Sequence, residues 1–185
     1  MKFLVQLIVV LVVFILLIYL LLPQPEYPPP LPDSLKSTEE GDTVQVPGVS
    51  AYYTDYKRAE VVKFYQQSFA KSSFLGLPFL QIKLNHPIEH SREVIRNPFL
   101  ASYVEEIVHP FRESLIIAGW EPVNAPAQFY NENDRLPIIV GERQYFGKAT
   151  LRYFTSTPYI RVAVFLLTTM VGVAVYFNFR KILSE

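Results

Sequence analysis

Residues 86–90, His-Pro-Ile-Glu-His, match the H-x-x-E-H pattern of inverted zinc metallopeptidases. In that pattern both histidines bind the metal and the glutamate activates a water molecule, so the two rings must share one face of a continuous helix. Pro87 follows the first histidine, and a residue before proline is pushed out of the α region. His86 is therefore expected at a helix N-cap, where it no longer aims at the same point as His90. We predict a solvated helix start at His86, Glu89 and His90, with a zinc-dependent hydrolase as the alternative.

A catalytic zinc also requires a third protein ligand and an open coordination position. The remaining candidates are Glu105, Glu106, Glu113 and His109, and none stands at a spacing that defines such a site. The sequence favours a solvated helix face for Glu105 and Glu106. The absence of cysteine excludes thiolate zinc sites, disulfides and a cysteine nucleophile. We therefore predict no catalytic residues, no bound metal, no cofactor and no enzymatic activity.

Two long apolar runs predict transmembrane helices. Residues 3–22 contain a single polar residue, Gln6, in twenty, and about 20 helical residues cross the hydrocarbon core of a bilayer. The second run extends from Tyr159 to Phe179, with Arg161 near its start, where a long side chain can reach the headgroups. The first run is longer than the apolar core of a signal peptide and lacks small residues for cleavage, which favours an uncleaved anchor.

The cations near these runs predict the orientation. Lys2 precedes the first run, Arg180 and Lys181 follow the second, and no further cation appears after the first run until Lys36. The positive-inside rule then places both termini in the cytoplasm and the middle of the chain outside the plasma membrane.

The predicted architecture is a small extracytoplasmic α+β domain, with four or five strands and two or three helices, between two single transmembrane helices. Residues 23–32 contain six prolines in ten positions, which favours an extended spacer. The expected segments are an N-terminal transmembrane helix at 1–22, a proline-rich stalk and linker at 23–43, the external domain at 44–157, a C-terminal transmembrane helix at 158–179 and a cytoplasmic tail at 180–185.

Hydrophobic periodicity suggests the elements of the domain. A helix capped by Thr54 or Asp55 should direct a stripe of apolar residues into the core. Residues 99–108 are compatible with a helix or with a bulged strand. The remaining predictions are a core stripe of Val61, Val62, Tyr65 and Phe69, a short strand at 80–84, a short helix after His86 with Ile88 and Ile95 facing inward, a strand ending in a turn at Gly119–Trp120, and a terminal hairpin that turns at Gly147.

Four residues are candidates for contacts with other proteins. Thr168 and Gly172 form a small-x-x-x-small pair that would allow close approach of a second helix. Gln6 could form a hydrogen bond across helices. Trp120 is more typical of a core or turn than of a stacking platform, but aromatic residues are also frequent at interfaces.

The charge of the middle segment argues against nucleic acid as a partner. Residues 23–158 contain 13 lysines and arginines and 16 aspartates and glutamates, which gives a net charge of −3. A nucleic-acid-binding protein typically concentrates positive charge on one surface. The expected partners are therefore the lipid bilayer and other envelope proteins or further copies of the chain.

Residues 102–122, SYVEEIVHPFRESLIIAGWEP, resemble uncharacterised two-span envelope proteins of ultra-small, candidate-phyla bacteria. The resemblance extends through ATLRYFTSTPYIRV, residues 149–162, into the second apolar run and covers about half of the chain. It implies a location in the bacterial envelope and carries no known active site. The expected function is a structural or accessory subunit of an envelope complex, with a ligand-sensing accessory subunit that signals through a partner as the alternative.

Overall fold

The computed structural model describes residues 2–23, 26–39, 48–70, 81–89, 101–121 and 138–183. The chain divides into two compact units, one of Met1–Gln24 with Ser156–Glu185 and one of Pro25–Thr155. In chain order the elements are α1 (Lys2–Leu21), β1 (Leu35–Lys36), β2 (Val49–Thr54), α2 (Arg58–Ala70), β3 (Ile82–His86), β4 (Tyr103–His109), β5 (Glu113–Trp120), β6 (Ile138–Val140), β7 (Arg143–Tyr145), β8 (Gly147–Phe154) and α3 (Pro158–Ile182). The prediction of an α+β protein is confirmed, although the described residues form more strands than the four or five expected.

The first unit contains α1 and α3, which lie against each other. By length and composition both could cross a membrane, with mean hydropathies of 3.3 and 2.0 in their most apolar 18-residue windows. Only 11% and 6% of their most apolar windows are buried, whereas the central helix of a soluble domain is mostly buried. The two helices therefore support association with a membrane. Arg180 and Lys181 lie in the last turn of α3, where positive charge complements the helix dipole.

The second unit is built on a six-stranded antiparallel sheet with the order β1-β2-β8-β5-β4-β3. Its strands pair in continuous register, so side chains alternate strictly between two faces. Helix α2 packs on one of these faces, which we call the α2 face. The core of the unit lies between helix α2 and this face of the sheet. Its buried residues are Leu31, Tyr52, Val61, Val62, Tyr65, Phe69, Tyr103, Ile107, Leu115, Ile117, Ala149 and Leu151.

Helix α2 confirms the predicted core stripe, since its buried residues are Val61, Val62, Tyr65 and Phe69. Its start differs from the prediction because Thr54 ends β2 and accepts a hydrogen bond from the Tyr56 N–H at 3.1 Å. The helix begins at Arg58. The carboxylate of Glu60 accepts a hydrogen bond from the Lys57 N–H at 2.8 Å, so a side chain inside the first turn caps the helix.

Two segments beside each other in the sheet differ in part from what the sequence suggested. His86 is the last residue of β3 and pairs with Val104, and most of the short helix expected after it lies outside the described residues. Residues 103–109 form β4, and its regular pairing with β5 shows no bulge. Both strands form because β4 has a pairing neighbour on each side and its β-branched and aromatic residues suit a sheet. Ile95 and His90 lie outside the described residues.

Both glycines expected at turns belong to strands. The ring of Tyr103 occupies the space beside Gly119, where an added Cβ would lie 2.0 Å from Tyr103 Cζ, so a larger residue at this position in β5 would have to displace the ring. Gly147 begins β8 and pairs with Thr54 of β2. The hairpin turn lies earlier, between β6 and β7, at Gly141 with φ +63°.

The segment predicted as a stalk belongs in part to the folded unit. Leu31 is buried in the core, Pro28 is buried, and the ring of Tyr27 packs edge-on against Tyr153 with centroids 5.9 Å apart. Strand β1 then pairs with β2 at one edge of the sheet. An extended proline-rich chain suits this position because proline has no N–H that would require a partner when buried.

Candidate partner-binding site

The residues of the H-x-x-E-H pattern do not share a helix. The ring Nε2 of His86 lies 2.7 Å from Oε2 of Glu106, at the end of β3. Glu89 is exposed in a short 3₁₀ turn, and His90 lies outside the described residues. The chain changes from a strand to a 3₁₀ conformation within the H-x-x-E-H pattern. The spacing of the pattern therefore does not place its two histidine rings on one face of a helix.

The other candidate ligands lie on two different faces of the sheet. His86 and Glu106 are on the face opposite α2, whereas Glu105, His109 and Glu113 are on the α2 face. His109 Nδ1 lies 2.8 Å from Glu113 Oε1, and both side chains are buried. Within the described ranges, no group of three or more potential ligands is positioned to hold a metal ion.

A groove lies between α2 and the β3–β4 side of the sheet. We call it the α2 groove. It encloses a volume of about 500 Å³. Its lining comprises Lys57, Arg58, Ala59, Val62, Lys63, Gln66, Lys83, Glu105 and Glu121. A cavity of this size and polarity can receive a small molecule or a segment of polypeptide.

A buried carboxylate forms the floor of the α2 groove. Glu105 is only 2% exposed, and its Oε1 accepts hydrogen bonds from the Nε and Nη2 atoms of Arg58, the former at 2.9 Å. The other oxygen, Oε2, has no hydrogen-bond partner among the described residues, and Lys83 Nζ lies 3.7 Å from it. A buried carboxylate oxygen that lacks a hydrogen bond is costly, so Glu105 Oε2 can accept one from a bound molecule.

The environment of Arg58 connects this carboxylate to the start of α2. The Arg58 backbone N–H donates to the carboxylate of Glu121, and its guanidinium lies over the ring of Tyr103, 5.3 Å from the centroid. Burial raises the pKa of the Tyr103 hydroxyl, and the nearby Glu121 carboxylate raises it further. The Tyr103 hydroxyl therefore stays protonated and uncharged near neutral pH. The charges of the groove are carried by its lysines, its arginine and its two glutamates.

Positive charge dominates the rim of the α2 groove. Lys57, Lys63 and Lys83 are exposed, whereas both acidic residues of the lining are buried. Four cationic groups thus face two carboxylates that already interact with Arg58. The exposed lysines of the rim favour a ligand with an anionic group, and Glu105 Oε2 favours a ligand that also carries a hydrogen-bond donor.

Strand β3 borders the α2 groove and is an edge of the sheet within the described residues. Lys83 points to the α2 face, whereas Ile82 and Leu84 point to the opposite face and are 49% and 41% exposed. An edge strand presents unpaired backbone donors and acceptors that can pair with a further strand. Exposed apolar side chains on such an edge are typical of a place where another polypeptide adds to the sheet.

The predicted helix-contact residues lie on α1 and α3 and are exposed. Thr168 Oγ1 donates to the carbonyl of Val164 at 2.8 Å, within its own helix, and no described atom lies within 4 Å of a Cβ added at Gly172. Gln6 is exposed on α1. Their small and polar surfaces are therefore not used between α1 and α3.

Arg161 supplies a contact of the helical unit that the sequence did not predict. Its Nη1 donates to the Leu22 carbonyl at 3.2 Å, and its Nε donates to Ser156 Oγ at 2.9 Å. The guanidinium is thus bonded to groups near the ends of both helices, whereas the sequence suggested that it extends to the headgroups.

Trp120 ends β5 on the face opposite α2 and is half-buried. Its indole Nε1 is buried and has no hydrogen-bond partner among the described residues. It therefore remains a candidate contact residue, although it lies apart from the lining of the α2 groove.

Glu105 was missed because the wrong element was favoured for its segment. On a strand, Glu105 shares a face with Tyr103 and Ile107, both of which are buried. The prediction of a solvated helix face is wrong for Glu105, which is buried on a strand. Strict alternation of Tyr103, Glu105 and Ile107 was the signal in the sequence that could have placed it inside.

Comparison of the chain with protein-family models, curated protein sequences and solved structures finds no match.

Proposed function

We propose that the protein is a double-anchored subunit of an envelope complex whose external domain binds an extended segment of another envelope protein. The segment adds to the outer edge of β3 and places acidic side chains in the α2 groove. The position of β3 at the edge of the sheet that the described residues form, beside a basic groove, is the observation that carries this proposal. In this arrangement α1 and α3 cross the plasma membrane and both termini are cytoplasmic.

The chemistry of the groove supports a polypeptide as the ligand. A peptide supplies backbone N–H groups for β3 and for Glu105 Oε2, and its acidic side chains complement Lys57, Lys63 and Lys83. Ile82 and Leu84 supply apolar contacts on the other face of the same edge. Complementary charge gives such a contact its specificity and increases its association rate.

Site-specific photocrosslinking tests this proposal in intact membranes. A photoreactive phenylalanine analogue at Leu84 should give a discrete adduct with another protein. The same analogue at Ile139, which is 66% exposed on β6, should give none. Equal background labelling from both positions would contradict the proposal, and an adduct of twice the chain mass would identify a second copy as the partner.

Charge reversal tests whether the basic groove contributes to partner binding in addition to the edge strand β3. Lys57→Glu combined with Lys63→Glu should reduce the Leu84 adduct at least tenfold, which corresponds to about 1.4 kcal/mol of binding free energy. Lys36→Glu is the matched control, because Lys36 is exposed on β1 at the other edge of the sheet. Equal losses in all variants would assign the effect to net charge instead of the groove.

The size of the α2 groove also favours a second candidate function, a ligand-sensing accessory subunit. A volume of about 500 Å³ suits a small molecule, and the presence of both charges favours a zwitterionic one such as an amino acid. A melting-temperature increase with individual amino acids, abolished by the Lys57 and Lys63 reversals, would support sensing. Partner binding alone predicts no such increase.

A further inference from the structure

The hairpin between β4 and β5 ends in an exposed aromatic residue. Phe111 is 81% exposed and has φ +62°, a conformation that is unfavourable for a bulky side chain. The turn is closed by a hydrogen bond of 3.0 Å from the Arg112 N–H to the His109 carbonyl. The tip thus combines a strained backbone with an apolar side chain in solvent, and neither feature favours folding of the isolated domain.

The base of the hairpin is firmly held. The carboxylate of Glu113 contacts His109 Nδ1 at 2.8 Å and Arg112 Nη2 at 3.2 Å, and all three side chains are buried. The ring of Phe69 from α2 stacks on the His109 ring, with centroids 4.4 Å apart. The groups beneath Phe111 therefore fix the tip in a defined position against the core.

Strand register determines the end of the sheet at which this tip lies. Ser114, next to the hairpin base, pairs with Phe154, the last residue of β8. Tyr27 packs against Tyr153 at the same place. We call this the exit end of the sheet, because the chain enters the domain near Tyr27 and leaves it at Phe154.

Both connections at the exit end are short. Three residues separate Phe154 from the first residue of α3, and five residues separate Leu21 from Tyr27. The four residue steps from Phe154 to the first residue of α3 span at most about 14 Å, even when the chain is fully extended. When α1 and α3 cross a bilayer, as the proposed function states, the exit end therefore remains within reach of the lipid headgroups.

A second exposed aromatic residue borders the exit end. Phe154 is 41% exposed, and the guanidinium of Arg152 lies 4.8 Å from its ring centroid. Aromatic and apolar residues accompanied by cations are typical of surfaces that enter the boundary between headgroups and acyl chains.

We propose that Phe111 inserts into the headgroup region of the membrane and that the β4–β5 hairpin is an interfacial anchor of the domain. The partner is the lipid bilayer itself. This inference rests on the double anchoring of the proposed function but is independent of partner binding at β3. The anchor would fix the height and tilt of the domain, which two short connections alone leave free.

Tryptophan fluorescence with brominated lipids tests the proposal in the full chain. Trp120 is the only tryptophan, so Trp120→Phe gives a background without one. Phe111→Trp is then compared with Phe146→Trp, an exposed phenylalanine that directly precedes Gly147 at the opposite end of β8. Met170→Trp, in α3, reports on the membrane span. The proteins are reconstituted in phosphatidylcholine vesicles whose acyl chains carry bromine near the headgroup or near the centre.

The expected result is that lipid brominated near the headgroup quenches the Phe111→Trp variant by about twofold or more and leaves the Phe146→Trp variant unchanged. Emission from the Phe111→Trp variant should also be blue-shifted relative to that from the Phe146→Trp variant. Equal emission and equal quenching of the two would overturn the interfacial anchor. Failure of centrally brominated lipid to quench the Met170→Trp variant would overturn the membrane spans instead, and with them both proposals.

A cysteine version avoids the Trp120 substitution, since the chain has no native cysteine. Phe111→Cys and Phe146→Cys are labelled with a polarity-sensitive fluorophore and transferred from detergent to vesicles. A blue shift confined to position 111 supports insertion, whereas identical spectra at the two positions contradict it.

Discussion

At the scale of single residues, the clearest electrostatic arrangement involves Glu39, Tyr53 and Lys148. The Tyr53 hydroxyl donates to Glu39 Oε1 at 2.6 Å, and Lys148 Nζ donates to Oε2 at 3.0 Å. Lys148 also lies over the Tyr53 ring, 5.1 Å from its centroid. The Tyr53 hydrogen bond, followed by that of Lys148, holds the pKa of Glu39 below its ordinary value of 4.5. This contact joins the segment after β1 to strands β2 and β8.

The pH dependence of this contact has a definite sign. Because the folded-state pKa of Glu39 is lowered, its ionised form stabilises the fold above the ordinary pKa. That contribution is lost as the pH falls through the folded-state pKa. Tyr53→Phe should raise the Glu39 pKa towards its ordinary value, as measured by NMR titration of the carboxyl carbon. The melting-temperature difference between wild type and Tyr53→Phe should shrink on acidification from about pH 6 to about pH 3.

Glu39→Gln provides the control for this titration. In that background, Tyr53→Phe should produce a melting-temperature change that does not vary over the same acidic range. A variation that persists without the Glu39 carboxylate would assign the pH dependence to another group.

At the scale of secondary-structure elements, the packing of β4 against β5 depends on one glycine. Gly119 leaves space for the ring of Tyr103, which is buried and carries Arg58 on its outer side. The same ring is part of the core beneath α2. The close approach therefore connects the centre of the sheet to the floor of the α2 groove.

Replacement of this glycine should destabilise the domain. The Cβ of Gly119→Ala would lie 2.0 Å from Tyr103 Cζ, and overpacking typically costs about 1–3 kcal/mol. The loss should appear as a lower midpoint in chemical denaturation. In a Tyr103→Leu background the alanine should cost much less, since the smaller side chain leaves the space open. Strictly additive effects of the two substitutions would show that the contact does not limit packing.

The sequence predicts some secondary-structure elements of the domain correctly and leaves others undecided. Val61, Val62, Tyr65 and Phe69 repeat at helical spacing, so local periodicity suffices to identify α2 and its buried side. In 99–108 the apolar residues fit two periodicities, and only pairing with β3 and β5 decides for a strand. Glu105 is buried because this segment is a strand and not a helix. The Arg58 side chain that donates hydrogen bonds to Glu105 lies 47 residues earlier in the sequence. Contacts at such separation leave no local signal.

At the scale of the whole molecule, two apolar helices, α1 and α3, flank the folded unit in the sequence. Each helix is long enough to span a bilayer. Lys2 precedes the apolar run of α1, and Arg180 and Lys181 lie in the last turn of α3, so the positive-inside rule predicts cytoplasmic termini. This orientation, which is a prediction, would place the domain and its candidate binding surfaces outside the cell.

Cysteine labelling checks this orientation. Glu142→Cys, at the exposed β6–β7 turn, should react with a membrane-impermeant maleimide in intact cells, whereas Ser184→Cys should react only after permeabilisation. The chain has no native cysteine, so each variant carries a single thiol. The reverse pattern would place the domain in the cytoplasm.

The position of β8 has a consequence for the order of biosynthesis. This strand lies between β2 and β5, yet it is the last strand in the sequence and is followed within a few residues by α3. Until β8 emerges, β2 and β5 both lack their shared neighbour, and the sheet cannot close. Pairings between residues so far apart in sequence form slowly. In the proposed orientation, a sheet that is still incomplete would suit passage of the nascent chain through a translocation channel. Completion of the sheet is then expected as synthesis reaches α3.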